Sequence, residues 1–499
     1  MTDALAHPAS DYVRGRFLPI EGDKIVSTNP AEPQQIIWQG APKREHIQSA
    51  VHAAQEALPK WSRTPFDERV AALRRFQQVV RDHADRLAEL ITNEMGKTLA
   101  ESRFEAQAVA AKIDVTLDDV SLGRVREYEV AVTDSRAGHC RFKPHGVMAV
   151  IGPFNFPAHL PNGHFVPALL VGNTIVLKPS EKTPAVGQLL AELMHEAELP
   201  PGVFNVVQGG AGVASRLVEG DGIDGILFTG SWSVGRKILH ANLDRPGRII
   251  ALEMGGNNPA VVMDDCHLKQ AVIECVRASF ATTGQRCTCT RRIIVQRPIA
   301  ERFIPAFCKA TSTLLIGPGV SAEPVFMGPL ISEAAVQGVL DFQQQLTRAG
   351  GRVLVEATAM DRPGHFITPG VVEVDRFRLD RDCEVFGPFV QIAVVDDLDQ
   401  AIDQANATRY GLAASIFTTD DQAYEEFFRG VKAGCINRNT GTAGASSTLP
   451  FGGLGHSGNH RPAAAFAVDY CAYPIANMVE TSADVAVPGG LYWDDRWVS

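Results

Sequence analysis

The sequence predicts an α/β protein whose first half carries a doubly wound parallel sheet and whose second half carries another α/β domain. Three observations predict it. Short apolar runs alternate with helical segments between residues 147 and 252; each run ends in a polar or glycine-rich turn; and 499 residues exceed what one compact core holds.

In chain order, Ile47, Val51, Ala54 and Leu58 recur at helical spacing, and Val70, Leu73, Phe76, Val80 and Leu87 continue it. Arg, Glu and Gln on the other faces leave one side of these helices to pack on a sheet. Apolar runs at 147–151, 174–177, 204–207, 225–228 and 249–252 follow, separated by helical patterns at 184–196, 213–219 and 233–243. The longest apolar stretches, 147–157 and 165–177, are broken by Gly, Pro and Asn and are expected to be buried strands. A membrane helix would need about 18 uninterrupted apolar residues. Strand and helix signals resume over 260–434, with helices expected at 268–281 and 333–348. The Gly/Ser-rich stretch 441–458 is expected to be a loop that lines a site.

A formal net charge of −10 speaks against nucleic acid as a partner, because phosphate binding needs a concentrated basic surface. Met1-Thr2-Asp3-Ala4-Leu5-Ala6-His7-Pro8 has neither the basic start nor the apolar core of a signal peptide, so a cytoplasmic protein without a membrane partner is expected. The nine cysteines lack paired zinc-ligand spacings and the 14 histidines lack metal-binding spacing, so no metal is expected. The pattern suits a reducing compartment in which one thiol does chemistry.

Gly284-Gln285-Arg286-Cys287 follows the helix ending near 281 and puts a thiol at a turn, as a nucleophile or as a plain buried cysteine. Glu253 ends an apolar strand ahead of Met254-Gly255-Gly256, as a general base or as an ion-paired carboxylate. Asn155 lies in Gly152-Pro153-Phe154-Asn155-Phe156-Pro157, a preorganised amide donor or merely a turn residue. Gly230-Ser231-Trp232-Ser233-Val234-Gly235 precedes a helix and suits phosphate, a weak signal alone. Lys178 and Glu181 follow a strand and suit ribose hydroxyls, or are a solvated first helical turn.

Together and in this order, these elements resemble the aldehyde dehydrogenase superfamily over nearly the whole chain. The resemblance rests on the Asn155 loop, Lys178-Pro179-Ser180-Glu181, Phe228-Thr229-Gly230-Ser231, Leu252-Glu253-Met254-Gly255-Gly256, the Cys287 turn, Glu384-Val385-Phe386-Gly387-Pro388 and Pro450-Phe451-Gly452-Gly453. It implies NAD-dependent oxidation of a small-molecule aldehyde to a carboxylate, with Cys287 as nucleophile, Glu253 as base, and Asn155 with the Cys287 N–H as oxyanion donors. It also implies an NAD site built from Lys178, Ser180, Glu181, Gly209, Thr229, Gly230, Ser231, Gly235, Glu384 and Phe386. The Glu181 carboxylate should repel a ribose 2′-phosphate, which favours NAD over NADP. The implied division is an NAD-binding domain (1–125 and 143–253), a catalytic domain (254–445), oligomerisation segments (126–142 and 468–484) and a returning loop (446–467). A homodimer or homotetramer is expected.

A narrower likeness rests on His159-Leu160-Pro161-Asn162-Gly163-His164, Asn257-Asn258, Cys287-Thr288-Cys289 with Arg291-Arg292, and Gly458-Asn459-His460-Arg461-Pro462. These are similar to the N-succinylglutamate 5-semialdehyde dehydrogenases of bacterial arginine catabolism. A substrate with several carboxylates implies cationic and amide donors, for which Arg438, His460 and Arg461 are candidates. Asn437-Arg438-Asn439 is similar instead to pyrroline-5-carboxylate dehydrogenases, which leaves glutamate 5-semialdehyde as an alternative substrate. Transfer of the acyl group to coenzyme A, a non-catalytic binding role and a Cys-based hydrolase are the remaining alternatives; Glu253 opposes the first, the joint presence of Cys287, Glu253 and Asn155 opposes the second, and the third would need a His partner near Cys287 and no nucleotide pocket.

Overall fold

The computed structural model describes residues 5–499; Met1 to Ala4, the start of the stretch tested for a signal peptide, lie outside the described residues. Strands Val147–Ile151 and Thr174–Lys178 are buried along their whole length, as uninterrupted β-branched and aliphatic runs require when both faces of a sheet are covered. The first sheet has seven strands in the order Ile249–Met254, Gly225–Gly230, Val147–Ile151, Thr174–Lys178, Phe204–Val206, Ser10–Val13, Arg16–Pro19. Its five leading strands are parallel and match the five runs read from the sequence. The last two form an antiparallel hairpin at the edge. Strand order reverses between Val147–Ile151 and Gly225–Gly230, and such a switch opens a crevice beyond the carboxyl ends of the strands.

Four helices, Arg44–Trp61, Phe66–Asp82, Ala84–Met95 and Leu99–Thr116, pack in this half. The periodic series ending at Leu87 is two helices, because the chain leaves helical geometry at His83. Thr98 and Glu101 form a reciprocal capping box that starts the fourth.

One expectation is corrected. Residues 165–170 are not strand: they belong to helix His159–Leu170, and the strand begins only at Thr174. This helix lies between sheet and outer helices, with Phe165 edge-on to Phe76 and to Phe204. Buried on nearly all sides, it has no polar face to betray a helical period.

The second sheet runs Arg352–Val355, Gly370–Glu373, Phe389–Val395, Thr290–Gln296, Asn258–Val262, Ala413–Phe417, Cys435–Arg438, parallel except at the Arg352–Val355 edge. Helices Leu268–Phe280 and Glu333–Arg348 stand where the sequence places them. Only residues 255–257 separate the last strand of the first sheet from Asn258–Val262, so the carboxyl end of one sheet faces the start of the other. A third sheet joins Tyr128–Ala131, Arg136–Pro144 and Ala472–Glu480, and exposes Tyr128, Val130, Tyr473 and Met478. Among the described residues, no helix is long and apolar enough to cross a membrane.

Candidate active site

A cavity of about 1250 Å³ opens at the switch point of the first sheet and takes side chains from both halves of the chain. Cys287 reaches its wall on a strained turn. After helix Leu268–Phe280, Thr282, Thr283 and Gly284 have φ of 54°, 56° and 71° in succession. That region is disfavoured for β-branched residues, so neighbours must hold it. One Glu101 oxygen accepts from the Thr282 N–H and hydroxyl, each at 2.8 Å, and from Arg286 at 3.0 Å. The Thr283 hydroxyl donates to the Gly328 carbonyl at 2.9 Å. A Cβ on Gly284 would lie 2.0 Å from the Gly387 carbonyl oxygen, so both conformation and close approach require glycine. Beyond the turn, the Asn258 amide donates to the carbonyls of Cys287 (2.7 Å) and Cys289 (2.8 Å).

Arg291 ties three segments together. Its buried guanidinium donates to the carbonyls of Gly256, Gly284, Arg286 and Val385. These belong to the turn after Glu253, the Cys287 turn and the Glu384–Phe386 stretch. Arg292, also buried, donates to the carbonyls of Asn257 (2.7 Å), Gln404 (2.9 Å) and Ala405 (2.9 Å). A lysine has no fork with which to bridge such separated acceptors.

Glu253 ends its strand facing the same cavity. The Asn459 side chain accepts from the Leu252 N–H and donates to the Ile250 carbonyl, at 2.9 and 2.8 Å, docking the returning loop along this strand. The Ala463 N–H donates to the Glu253 carboxyl, while Oε2 has no partner. Burial holds this carboxyl well above the ordinary carboxylate range. Cys287, half-buried, is also pushed up, first by desolvation and then by the Glu384 and Glu253 carboxylates, with Arg291 opposing. The free site therefore favours thiol and carboxylic acid.

Asn155 belongs to a loop anchored from below. Its backbone oxygen accepts from Lys97 at 2.6 Å, and Lys97 forms a fully buried ion pair with Glu105 at 2.7 Å. The other Glu105 oxygen accepts the N–H groups of Ala158 and His159, fixing the start of the next helix. The Asn155 amide donates to the Gln285 carbonyl at 3.0 Å, two residues before the thiol, and keeps a second N–H.

The opposite arm of the cavity fits a dinucleotide. Lys178 donates to the Gly209 carbonyl at 2.6 Å and lies 3.4 Å from Glu181. Ser180 accepts from the Lys182 N–H. Ser231 precedes helix Trp232–Ala241 without capping it through its side chain, which leaves first-turn N–H groups for an anion. Ala214, Val218, Val234 and Ile238 line an apolar slot suited to a flat base. Glu384 accepts from the Gly256 N–H at 2.9 Å, and Phe386 meets Phe154 edge-on. Gly230 also lines the wall.

Not every expected residue lines the cavity. Gly209 and Gly235 are absent from the wall: a Cβ on either would lie 2.2 Å from Val213 or 2.3 Å from Met254, so both glycines permit packing. Thr229 lines the wall, and its hydroxyl also meets His164 at 3.0 Å, which in turn meets the Tyr470 hydroxyl at 2.9 Å. Arg438, His460 and Arg461 do not line the cavity. Arg438 is spent on Asp421 and the Thr418 carbonyl, while Arg461 and His460 lie at the surface, where Arg461 meets the His460 carbonyl at 3.4 Å. Sequence reading missed Lys97, Glu101, Lys112 and the tying role of Arg291. Two adjacent arginines in an otherwise apolar parallel strand were the available signal for the last.

The aldehyde dehydrogenase family model matches residues 17–473. The chain is 41% identical over 470 residues to the N-succinylglutamate 5-semialdehyde dehydrogenase of Legionella pneumophila (strain Corby), covering 94% of each chain. It is 41% identical over 471 residues to that of Novosphingobium aromaticivorans, covering 94% of this chain and 99% of the relative. A solved structure described as an E. coli NADP dependent enzyme is similar with a TM-score of 0.90 and 31% identity, over 96% of this chain and 99% of that one.

Because Arg291 is the cation that lowers the Cys287 pKa, Arg291→Met should slow carboxymethylation of Cys287 by iodoacetate about tenfold at mildly alkaline pH. Peptide mass mapping reads it, with Cys308 as internal reference; an unchanged ratio would contradict the role.

Proposed function

The chain belongs to the aldehyde dehydrogenase family, and we propose that it oxidises N-succinyl-L-glutamate 5-semialdehyde to the carboxylate with NAD as acceptor, in arginine catabolism. The observation that carries the chemistry is that the Cys287 thiol and a buried, half-unpartnered Glu253 carboxyl open onto one cavity. The narrower substrate rests on the two relatives of that name at 41% identity over 94% of the chain.

Cys287 Sγ attacks the aldehyde carbon, and its proton leaves to solvent or a neighbouring base. The oxyanion takes the second Asn155 N–H and the backbone N–H of Cys287. Bound nicotinamide supplies the hydride acceptor for oxidation of this adduct to a thioester. The unpartnered oxygen of Glu253 then takes a proton from water as it adds to the thioester carbonyl, and Cys287 leaves as thiolate. Lys178 and Glu181 would hold the adenosine ribose, the open helix end after Ser231 would take the pyrophosphate, and Glu384 with Phe386 would fix the nicotinamide ribose and ring. A 2′-phosphate beside Glu181 costs about 1–4 kcal/mol in repulsion at close range, which favours NAD.

We assign residues 1–125 and 143–253 to an NAD-binding domain and 254–445 to a catalytic domain, a division that the two large sheets support. The third sheet has free edges and exposed apolar side chains, and we assign it to pairing with a second copy, giving a homodimer or homotetramer. The Asn437-Arg438-Asn439 stretch, similar to that of glutamate 5-semialdehyde oxidising enzymes, lies outside the cavity and lends that alternative no contact.

NADH absorbance with N-succinylglutamate semialdehyde, glutamate semialdehyde, succinate semialdehyde and aliphatic aldehydes tests the substrate. The succinylated compound is expected to lead in kcat/KM by at least about tenfold, the value of one good polar contact; a lead by another aldehyde overturns the assignment. The pH profile follows from the raised pKa values of Cys287 and Glu253. Both groups act deprotonated, and raising their pKa moves deprotonation to higher pH. The rate should therefore climb through neutrality into the alkaline range; a rate already level at weakly acid pH would contradict it.

A further inference from the structure

Of the cationic side chains on the cavity wall, most are already matched or exposed. Lys178 has Glu181 (3.4 Å), Arg277 has Glu274 (2.5 Å) and Arg286 has Glu101 (3.0 Å). Lys182 and Lys237 are exposed. Lys112 is different. It is 2% exposed, it lines the cavity, and among the described residues no carboxylate pairs with it. Its ammonium donates to the Ala464 carbonyl at 2.7 Å, which leaves two N–H donors. Burial lowers its pKa to about 8, so it still carries most of its charge at neutral pH. A buried ammonium without a counter-charge is costly unless an anion arrives to match it.

Two further observations place that anion. Ala464, whose carbonyl meets Lys112, has a φ of 60°, unusual for a residue with a side chain. The preceding residue, Ala463, lines the cavity with its N–H beside the Glu253 carboxyl, so Lys112 sits on the reaction side of the cavity rather than in the nucleotide arm. On the neighbouring helix, His159 also lines the wall. Its ring lies near the Ala108 carbonyl, and Nδ1 has no partner. Burial pushes its pKa down to about 4, so the ring is neutral and Nδ1 offers a lone pair.

We propose that Lys112 and His159 form the subsite that recognises the N-acyl amino acid part of the substrate, the Lys112 ammonium taking a carboxylate and His159 Nδ1 taking the amide N–H. This rests on the substrate assignment above and supplies what Arg438, His460 and Arg461 do not. The pairing explains why a buried cation is left unmatched within the protein, and it defines the substrate class as aldehydes bearing both a carboxylate and a secondary amide.

The test is steady-state kinetics of the full-length wild type, Lys112→Met and Lys112→Arg with NAD, using N-succinylglutamate semialdehyde, succinate semialdehyde and hexanal. In Lys112→Met the ratio of kcat/KM for the succinylated aldehyde over hexanal should fall about 10- to 100-fold, the value of a charge-assisted hydrogen bond, with the loss chiefly in KM. Lys112→Arg should recover part of that ratio. An unchanged ratio in Lys112→Met overturns the subsite. A wild type that prefers succinate semialdehyde, with that preference lost in Lys112→Met, upholds the carboxylate anchor while the substrate assignment fails. If Lys112→Met does not fold, wild-type inhibition decides: N-succinylglycine should compete with the aldehyde at least about tenfold better than its uncharged diamide. Equal inhibition by the two overturns the proposal.

Discussion

A single guanidinium, that of Arg291, holds the reacting groups in register. The thiol, the general base and the Glu384–Phe386 stretch come from segments far apart in sequence, and each presents a backbone carbonyl to it. A charged donor to a buried carbonyl contributes about 1.5–3 kcal/mol, whereas a non-glycine residue in the left-handed region costs about 1–3 kcal/mol. Several such bonds, added to those of Glu101, outweigh the two strained threonines before Cys287. The turn is rigid for that reason, and rigidity is what a nucleophile needs if the oxyanion donors are to meet the carbonyl oxygen.

The same burial that builds the site sets its protonation. Cys287 and Glu253 share a desolvated space, in which the Glu253 carboxylate disfavours a thiolate at Cys287 and burial itself keeps Glu253 protonated. Below, the buried Lys97–Glu105 pair fixes the Asn155 loop and the start of helix His159–Leu170 together as one unit.

The parts of this arrangement that were legible in the sequence share a property: they sit where one element ends and another begins. Cys287 and Asn155 stand in turns marked by glycine or proline, Glu253 closes a strand just ahead of one, and the five parallel strands announce themselves as short buried runs. What was illegible depends on tertiary surroundings. Helix His159–Leu170 has no polar face, so its apolar stretch read as strand. The hairpin Ser10–Val13 and Arg16–Pro19 is too short to show alternation. Lys112 looks like a solvated lysine until the returning loop covers it, and Arg438, His460 and Arg461 have the right chemistry in positions the fold turns away from the cavity. Gly209 and Gly235 lie in motifs that were read as cofactor contacts, yet they stand off the cavity wall, where their lack of a side chain permits close packing.

The central claim is that Cys287 carries the acyl group and Glu253 releases it. The most direct measurement is the intact mass of Glu253→Gln after incubation with NAD and N-succinylglutamate semialdehyde. A burst of about one NADH per active site, with one acyl group mapped to Cys287, is the predicted result. Steady NADH release with no covalent adduct, or an adduct on Cys289 in its place, would contradict it.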